Sequence, residues 1–405
     1  MTEIAILGFG TVGSGIAEVV DINQEEIKKD YPEGLHVKYI LDLKEFPDSP
    51  YGDRVVHDYD TILNDPEIRI ICETMGGMEP AYTYSKRALE KGISVCTSNK
   101  ELVDALGGDL AVTAKEHQCS YLFEGSVGGG IPILRPLRTS FSQEFITSII
   151  GILNGTTNYI LTQMEQQGLS FDVALKQAQD NGYAEREPAS DIEGYDTSRK
   201  IAILASLVTG GNVKYGDVPR EGITNIDTGD FEYANLMHCA IKLLGICRHD
   251  PDTGKVYART APYLVPKSNP LYSVDDVYNG ILVHCNMAGD LMFYGQGAGK
   301  LPTASAVVSD VVECAQNLGE NVDIGLNNKA ADLIDPGEWE DRYFVRVARE
   351  GMVKATSLFG SQIRIVVCKS FPDEFAFVTP YITEREFEEK IAQIPSYRKS
   401  IRVLQ

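Results

Sequence analysis

The first 125 residues alternate short, continuously apolar segments with longer segments in which apolar residues recur at helical spacing. Continuous apolar runs are typical of parallel strands that are buried on both faces, with amphipathic helices covering them. The predicted strands are 4–7, 37–41, 68–72, 93–97 and 120–123, and the predicted helices are 12–20, 82–91 and 108–117. The pattern therefore predicts an α/β fold that begins with a doubly wound, Rossmann-type domain over residues 1–125.

A different pattern begins after Gly128-Gly129-Gly130 and predicts a mixed α/β domain over residues 126–320. Predicted strands are 145–153, 256–264 and 280–287, and predicted helices are 158–167, 171–181 and 197–208, with the apolar stretch 240–246 read as a buried helix. The helix 304–318 is expected to pack back on the first domain.

The last part of the chain predicts a small α+β domain. Residues 321–340 are rich in Asn, Asp and Pro and predict a linker. Strands at 343–348, 363–368 and 374–379 and an acidic helix at 384–392 are predicted within residues 341–405.

Composition narrows the class of partner. The formal net charge of -21 argues against a nucleic acid or an anionic membrane surface as partner, since both require clustered Lys and Arg. No apolar run approaches the length of a membrane span, and the chain opens directly into a strand, so a cytoplasmic protein is expected.

The eight cysteines form no C-x-x-C pair. They are expected to be reduced, buried small side chains. His238, Cys239, Cys247 and His249 do not have the spacing of a common zinc site, so a zinc site is not predicted there.

A glycine motif, Gly8-Phe9-Gly10-Thr11-Val12-Gly13, follows the first predicted strand and opens the first helix. Gly8 allows the tight turn, Gly10 lets a pyrophosphate approach the backbone, and Gly13 permits close helix–strand packing. In this context the motif predicts a site for NAD or NADP.

Asp42 ends the second predicted strand, where the choice between the two cofactors is usually made. A carboxylate there would bind the adenosine ribose hydroxyls and repel a 2′-phosphate. Lys44, two residues on, would offset that repulsion, so the sequence leaves NAD and NADP both open.

Two lysines are candidate catalytic residues. Lys100 follows the fourth predicted strand, at the edge of the sheet where open α/β folds bind ligands, or it is a surface lysine at a strand end. Lys200 shares a helix face with Leu204 and has Asp196 four residues before it. It is therefore either a partly desolvated proton donor or one half of an ordinary helix ion pair.

Acidic residues are dense just before Lys200, and Glu185, Asp191 and Asp196 are the candidates among them. They form either a solvated loop or a site for the ammonium group of an amino-acid substrate.

With these residues in view, the chain resembles homoserine dehydrogenase over about its first 320 positions. The matching segments are the glycine motif, Glu73-Thr-Met-Gly-Gly, Thr-Ser-Asn-Lys100, Phe-Glu124-Gly-Ser-Val-Gly-Gly-Gly-Ile-Pro, Leu153-Asn-Gly-Thr-Thr-Asn-Tyr-Ile, Asp180-Asn-Gly-Tyr-Ala-Glu185, Asp196-Thr-Ser-Arg-Lys200 and Gly295-Gln-Gly-Ala-Gly299. The resemblance is to the monofunctional form of the enzyme.

The resemblance implies a role for each matching residue. Lys100 and Lys200 would flank the reacting carbonyl, with Lys200 as proton donor, and Ser98 and Gly299 would touch the cofactor. Residues implied to bind or orient the amino acid are Glu185, Asp191, Asp196, Lys200, Tyr183 and Thr156. Glu124 and the carbonyls of Val127, Gly129 and Ile131 would hold a monovalent, sodium-like cation.

The implied activity is reversible NAD(P)H-dependent reduction of L-aspartate 4-semialdehyde to L-homoserine, in threonine and methionine biosynthesis, by a homodimer. The tail is similar to an ACT regulatory domain, but Arg349-Glu-Gly-Met-Val replaces the usual turn, so weak or absent inhibition by threonine is expected. An acylating aldehyde dehydrogenase would need an activated cysteine, and none stands in such a motif. The alternative from another class is a cofactor-sensing regulatory protein without turnover.

Overall fold

The computed structural model describes residues 1–404, and its helices and strands alternate along most of the chain. The strands are β1 Thr2–Leu7, β2 Leu35–Leu41, β3 Val55–Val56, β4 Ile68–Glu73, β5 Ser94–Thr97, β6 Tyr121–Leu122, β7 Ile146–Ile152, β8 Cys239–His249, β9 Val256–Pro266, β10 Tyr278–Cys285, β11 Gly289–Gln296, β12 Glu340–Ala348, β13 Arg364–Val366, β14 Glu374–Val378, β15 Ile382–Thr383 and β16 Tyr397–Val403. The helices are α1 Thr11–Ile22, α2 Gln24–Asp30, α3 Tyr59–Leu63, α4 Ala81–Glu90, α5 Lys100–Glu116, α6 Leu134–Thr139, α7 Gly155–Gln167, α8 Phe171–Asp180, α9 Ala189–Ile192, α10 Tyr195–Thr209, α11 Thr228–Leu236, α12 Lys300–Gln316, α13 Met352–Phe359 and α14 Glu384–Ile391.

The chain divides into two compact units. The first consists of Met1–Phe145, Ala202–Tyr215 and Phe293–Ala331, and the second of Ile146–Ile201, Gly216–Met292 and Asp332–Gln405. The domain boundaries expected at 126, 321 and 341 do not coincide with these divisions. Sequence patterns show where the local order of strands and helices changes. They do not show that the chain returns to the first unit twice.

The first unit is built on a six-stranded sheet in the order β3-β2-β1-β4-β5-β6, and every neighbouring pair is parallel. This confirms the predicted doubly wound α/β domain. The strand order reverses between β1 and β4, which is where such folds bind ligands. Ile4 and Ile6 share a core cluster with Val307, Val311 and Cys314 of α12, so this helix covers the sheet.

Helix α5 starts at Lys100, eight residues before the predicted start at 108. Gly107 and Gly108 lie inside it, and they weakened the helical pattern because glycine disfavours helix interiors. A Cβ on Gly108 would lie 2.4 Å from Oδ1 of Asn328, so this glycine serves the close approach of the segment that follows α12.

The second sheet runs in the order β11-β10-β7-β8-β9-β16-β12-β14-β13, with β15 paired to β12. The prediction of a buried helix at 240–246 is wrong, because these residues form the middle of β8. Strand β8 pairs with β7 on one side and β9 on the other. A central strand that is buried on both faces reads as one apolar run, which periodicity alone does not separate from a buried helix.

The tail has the order βαβββαβ, and four of its strands lie side by side in the order β16-β12-β14-β13, with β15 paired to β12. Helix α13 and strands β15 and β16 were not predicted from the sequence pattern. Residues 343, 345 and 347 of β12 pack with Phe359 of α13 and Phe387 of α14. On the opposite face, Phe344 belongs to a core cluster of the second unit that also contains Tyr233, Leu264 and Ile401, and β16 pairs in parallel with β9. The tail therefore shares a sheet and a core with the rest of its unit.

No helix within residues 1–404 has both the length and the apolar character needed to cross a membrane.

Candidate active site

The glycine loop has the geometry that a dinucleotide site requires. Gly8 has a φ of +91°, a conformation that residues with a Cβ rarely adopt. A Cβ on Gly13 would lie 1.9 Å from the Gly8 carbonyl oxygen, whereas a Cβ on Gly10 would meet nothing within 4 Å. Gly13 is thus needed for packing, and Gly10 leaves the backbone open on its outer side.

Helix α1 begins at Thr11 and presents its N-terminus at this loop. Gly10 is the N-cap, no side chain caps the helix, and its first turn contains no acidic residue. Uncapped N–H groups and the positive end of the helix dipole favour an anion such as a pyrophosphate.

Asp42 lies directly beside the glycine loop. One of its carboxylate oxygens accepts the N–H of Phe9 at 2.8 Å and the other accepts the N–H of Lys44 at 3.0 Å. The ring of Phe9 is buried against Phe46 and Tyr51. The carboxylate is therefore fixed against the loop, while Lys44 is exposed.

Ser98 and Lys100 lie on the loop that joins β5 to α5. Lys100 is the first residue of α5, and the side chain of Asn99 caps the helix by accepting the N–H of Leu102 at 3.2 Å. Ser98 is half-buried, and a Cβ added to Gly125 would lie 3.2 Å from the Cβ of Ser98. Gly299 caps α12 with a φ of +133°, so it too needs to be glycine.

Glu124 begins the candidate cation loop and is almost fully buried. Its carboxylate accepts three backbone N–H groups at the start of α6, at distances of 2.6 to 2.9 Å. Burial raises the pKa of Glu124, and the three N–H donors oppose that shift. The carboxylate thus serves as an N-terminal cap for a short helix, a use that the sequence analysis did not foresee.

Lys200 is buried in the second unit. Its ammonium donates to the Leu153 carbonyl at 2.7 Å and lies 2.8 Å from Oδ2 of Asp196. Asp196 is itself 2% exposed. This burial sets the pair apart from an exposed helix ion pair such as that of Lys176 with Asp180.

Asn154 is a residue that the sequence analysis missed. Its amide nitrogen donates to Asp191 at 2.7 Å and to Asp196 at 2.9 Å, and its amide oxygen caps α7 by accepting the N–H of Thr157. It thereby connects two of the three predicted substrate acids. The one available signal was its place in the Leu153-Asn-Gly-Thr-Thr segment.

The remaining substrate candidates lie at the surface of this cluster. Thr156 donates to the backbone carbonyl of Tyr183 at 2.6 Å, and the ring of Tyr183 is 45% exposed beside Tyr159. Glu185 is exposed, and its backbone carbonyl accepts Gln179. The structure therefore brings Lys200, Asp196 and Asp191 together and leaves Glu185 on an exposed loop.

Two family models cover most of the chain. The model described as the NAD binding domain of homoserine dehydrogenase matches residues 8–124, and the model described as homoserine dehydrogenase matches residues 132–312. A homoserine dehydrogenase from Synechocystis is 43% identical over 76% of this chain and 72% of its own length. One from Bacillus subtilis is 35% identical over 97% of this chain and 88% of its own length. The chain belongs to the homoserine dehydrogenase family.

The similarity to the family extends to three-dimensional structure. The crystal structure of a homoserine dehydrogenase from Thiobacillus denitrificans superposes with a TM-score of 0.92 at 30% identity, covering 100% of this chain and 98% of that chain. Membership makes the chain an NAD(P)-dependent oxidoreductase with a small-molecule substrate. No comparison supports the alternative of a cofactor sensor without turnover.

Proposed function

We propose that this chain catalyses the reversible NAD(P)H-dependent interconversion of L-aspartate 4-semialdehyde and L-homoserine. The observation that carries the proposal is the buried Lys200 ammonium, held by the Leu153 carbonyl and Asp196 beside a second acid. This arrangement joins a proton donor to groups that recognise an amino acid.

Lys200 is the proposed proton donor. Reduction of the aldehyde develops negative charge on its oxygen, and a positioned ammonium both stabilises that charge and supplies the proton. The Leu153 carbonyl and Asp196 fix the ammonium in place, so less freedom is lost when the substrate binds. In the direction of homoserine oxidation, the same group takes the proton back.

The acids beside Lys200 are proposed to hold the substrate ammonium. Asp191 and Asp196 are fixed by Asn154, and Glu185, on its exposed loop, is proposed as a third acid for the ammonium. Tyr183 and Thr156, connected by their hydrogen bond, would orient the amino acid. Charge-assisted hydrogen bonds of this kind are stronger than neutral ones.

The cofactor is proposed to be NAD or NADP. When it is bound, its nicotinamide supplies the hydride. The residues proposed to hold it are Gly8, Phe9, Gly10, Thr11, Val12, Gly13, Asp42, Ser98, Lys100 and Gly299. The position of Asp42 beside the loop supports a modest preference at most for NADP, because a 2′-phosphate would meet the carboxylate. Lys100 is proposed to stabilise charge on the substrate as well.

A monovalent cation is proposed at the loop after β6. Val127, Gly129 and Ile131 offer carbonyl oxygens to which no backbone N–H of residues 1–404 donates, and oxygen ligands suit a hard cation. Because the Glu124 carboxylate already accepts three N–H groups, its contribution is the weaker one. Activity in buffers of sodium, potassium or tetramethylammonium tests this site, and equal rates in all three would contradict it.

Assembly and regulation are further parts of the proposal. A cytoplasmic homodimer is proposed, supported by the exposed Met287 and Met292 near the end of the second sheet. Light scattering of the protein as it elutes from a size-exclusion column should give twice the mass of one chain. The tail is proposed to be ACT-like, supported by its alternation of strands with the helices α13 and α14, and threonine is expected to inhibit weakly or not at all. Millimolar threonine that strongly slows turnover would contradict this expectation.

The direct test of the function is the loss of nicotinamide absorbance when the purified chain meets L-aspartate 4-semialdehyde. Parallel assays with NADH and NADPH give the cofactor preference. Absence of turnover with both cofactors, in a folded protein, would overturn the proposal.

A further inference from the structure

Glu73 is a buried carboxylate to which no role has been assigned. It is the last residue of β4 and is fully buried, at the edge of the sheet where the glycine loop also lies. Burying a carboxylate is costly unless hydrogen bonds compensate it. The hydrogen-bond partners of Glu73 therefore show which parts of the structure the buried carboxylate holds in place.

One oxygen of Glu73 holds the loop that follows its own strand. Oε1 accepts the N–H of Met75 at 2.8 Å. The next residues, Gly76 and Gly77, have φ values of +77° and +71° and are exposed. Two successive glycines in this conformation make a turn that needs an anchor to adopt one shape, and the carboxylate provides it.

The other oxygen holds the loop that follows the neighbouring strand. Oε2 accepts the hydroxyl of Thr97 at 2.6 Å, and this hydroxyl accepts the N–H of Asn99 at 2.9 Å. Asn99 donates to the carbonyl of Gly77 at 2.6 Å and caps the helix that starts with Lys100. The two loops are therefore joined by one buried network with Glu73 at its centre.

The network also reaches the glycine loop. Thr74 follows Glu73 and donates its hydroxyl to the Gly8 carbonyl at 2.8 Å. Burial raises the pKa of Glu73, while the Thr97 hydroxyl and the Met75 N–H oppose the shift by stabilising the carboxylate. Such a fully engaged buried group is rigid, as a support for a binding site must be.

We propose that Glu73 is a positioning residue that sets the loop bearing Ser98 and Lys100 relative to the loop of Gly76 and Gly77. The inference rests on the proposed roles of Ser98 and Lys100. Glu73 does not touch the reacting atoms. It acts by fixing the start of α5 and the backbone at Ser98, whose N–H lies 3.4 Å from the Glu73 carbonyl.

The test compares Glu73→Leu with Glu73→Gln. Leucine removes both acceptors, so kcat should fall and the KM for the cofactor should rise, together lowering kcat/KM by about 100-fold, the order expected for a displacement of about 1 Å. Glutamine can still accept from Met75 and can donate to the Thr97 hydroxyl. Glu73→Gln should therefore keep kcat/KM within about 5-fold of the wild-type value.

A matched control separates positioning from stability. Ser120 is a fully buried hydroxyl before β6 that accepts the N–H of Val322, so it lies at the opposite, amino edge of the sheet. Ser120→Ala should lower the melting temperature and leave both kinetic constants unchanged. If Glu73→Leu behaves in the same way, the residue is only structural and the proposal is overturned.

Two further variants complete the test. Thr97→Val keeps the volume but removes the hydroxyl, and it should raise the cofactor KM by about 3- to 10-fold even if Glu73→Leu fails to fold. An unchanged KM in Thr97→Val would contradict the proposal. Lys100→Ala should also lose activity. A large loss in Glu73→Leu with normal kinetics in Lys100→Ala would overturn the positioning of Lys100, whereas an inactive wild type would instead refute the proposed function.

Discussion

The substrate-side cluster combines two residues that are close together in the chain with one that is far from both of its partners. Lys200 and Asp196 are four residues apart on one helix, so their proximity follows from helical periodicity alone. Asn154 lies 37 and 42 residues before the two acids that it connects. No local pattern relates such positions, which is why its role emerged only from the structure.

Lys200→Ala tests the proton donor. We expect kcat to fall by about 10²- to 10⁴-fold, the usual contribution of a positioned acid, while cofactor affinity changes little. The matched control is Lys176→Ala, which removes an exposed lysine with the same four-residue spacing from its acid. Steady-state kinetics with L-aspartate 4-semialdehyde would decide, and near-normal turnover of Lys200→Ala would make Lys200 a mere ion-pair partner.

Asp42→Ala tests cofactor choice. Removal of the carboxylate beside the glycine loop should raise kcat/KM with NADPH relative to NADH, because the repulsion of a 2′-phosphate is lost. The control is Asp30→Ala, which removes an exposed acid at the end of α2 and should leave the ratio unchanged. A wild type that is already strongly selective for NADPH would show that Lys44 or another base dominates.

Elements differ in how well the sequence predicts them. Strands β1, β2 and β4 and helices α7, α8 and α10 lie close to their predicted positions, because a one-faced helix or a bounded apolar run is a local property. Strand β8 does not, because burial on both faces removes its periodicity. The early start of α5 was hidden by Gly107 and Gly108, whose packing partners lie far along the chain.

The first strand of the tail, β12, contributes Phe344 to a core cluster of the second unit. Phe344 is 1% exposed within this cluster, so Phe344→Ala should cost about 3–5 kcal/mol of unfolding free energy through lost burial and a cavity. Val353→Ala, at a side chain 74% exposed on α13, should change it by less than about 0.5 kcal/mol. Urea denaturation of both variants measures the difference, and equal stabilities would refute this account of the tail.

The same packing revises an expectation from sequence. The resemblance of the tail to a separate regulatory domain predicts that a chain ending near residue 340 keeps its activity if it stays soluble. In the structure, such a truncation removes β16 from beside β9. It also removes Phe344 and so exposes the core residues of the second unit that Phe344 covers. We therefore expect the truncated chain to aggregate rather than remain active.

At the scale of the whole molecule, stability should fall in acid because of a charge cluster in the tail. The Glu374 carboxylate accepts hydrogen bonds from Nε of Arg346 at 2.9 Å and from Nη2 of Arg346 at 3.0 Å. Burial by itself raises the pKa of Glu374, but Arg346 and Arg398 outweigh it and hold the pKa below its ordinary value. A carboxyl group with a lowered folded pKa contributes its full stability above the unfolded pKa of about 4.3 and loses it as pH falls through the folded pKa.

The melting temperature of the wild type is expected to fall when the pH is lowered below about 4. Glu374→Gln should be less stable at neutral pH and should show a shallower drop in acid. Glu389→Gln, an exposed glutamate on α14, serves as the control and should follow the wild type. Identical acid profiles for all three proteins would contradict the assignment to Glu374.

The most direct measurement of the central claim follows the hydride itself. The full chain is incubated with L-aspartate 4-semialdehyde and a reduced cofactor that carries deuterium at the transferable position of the nicotinamide, and the product is analysed by mass spectrometry. The proposed mechanism gives L-homoserine with one deuterium on the carbon that was the aldehyde, formed at a rate that Lys200→Ala lowers by orders of magnitude. Homoserine without deuterium, or no homoserine from a folded chain that binds the cofactor, would contradict it.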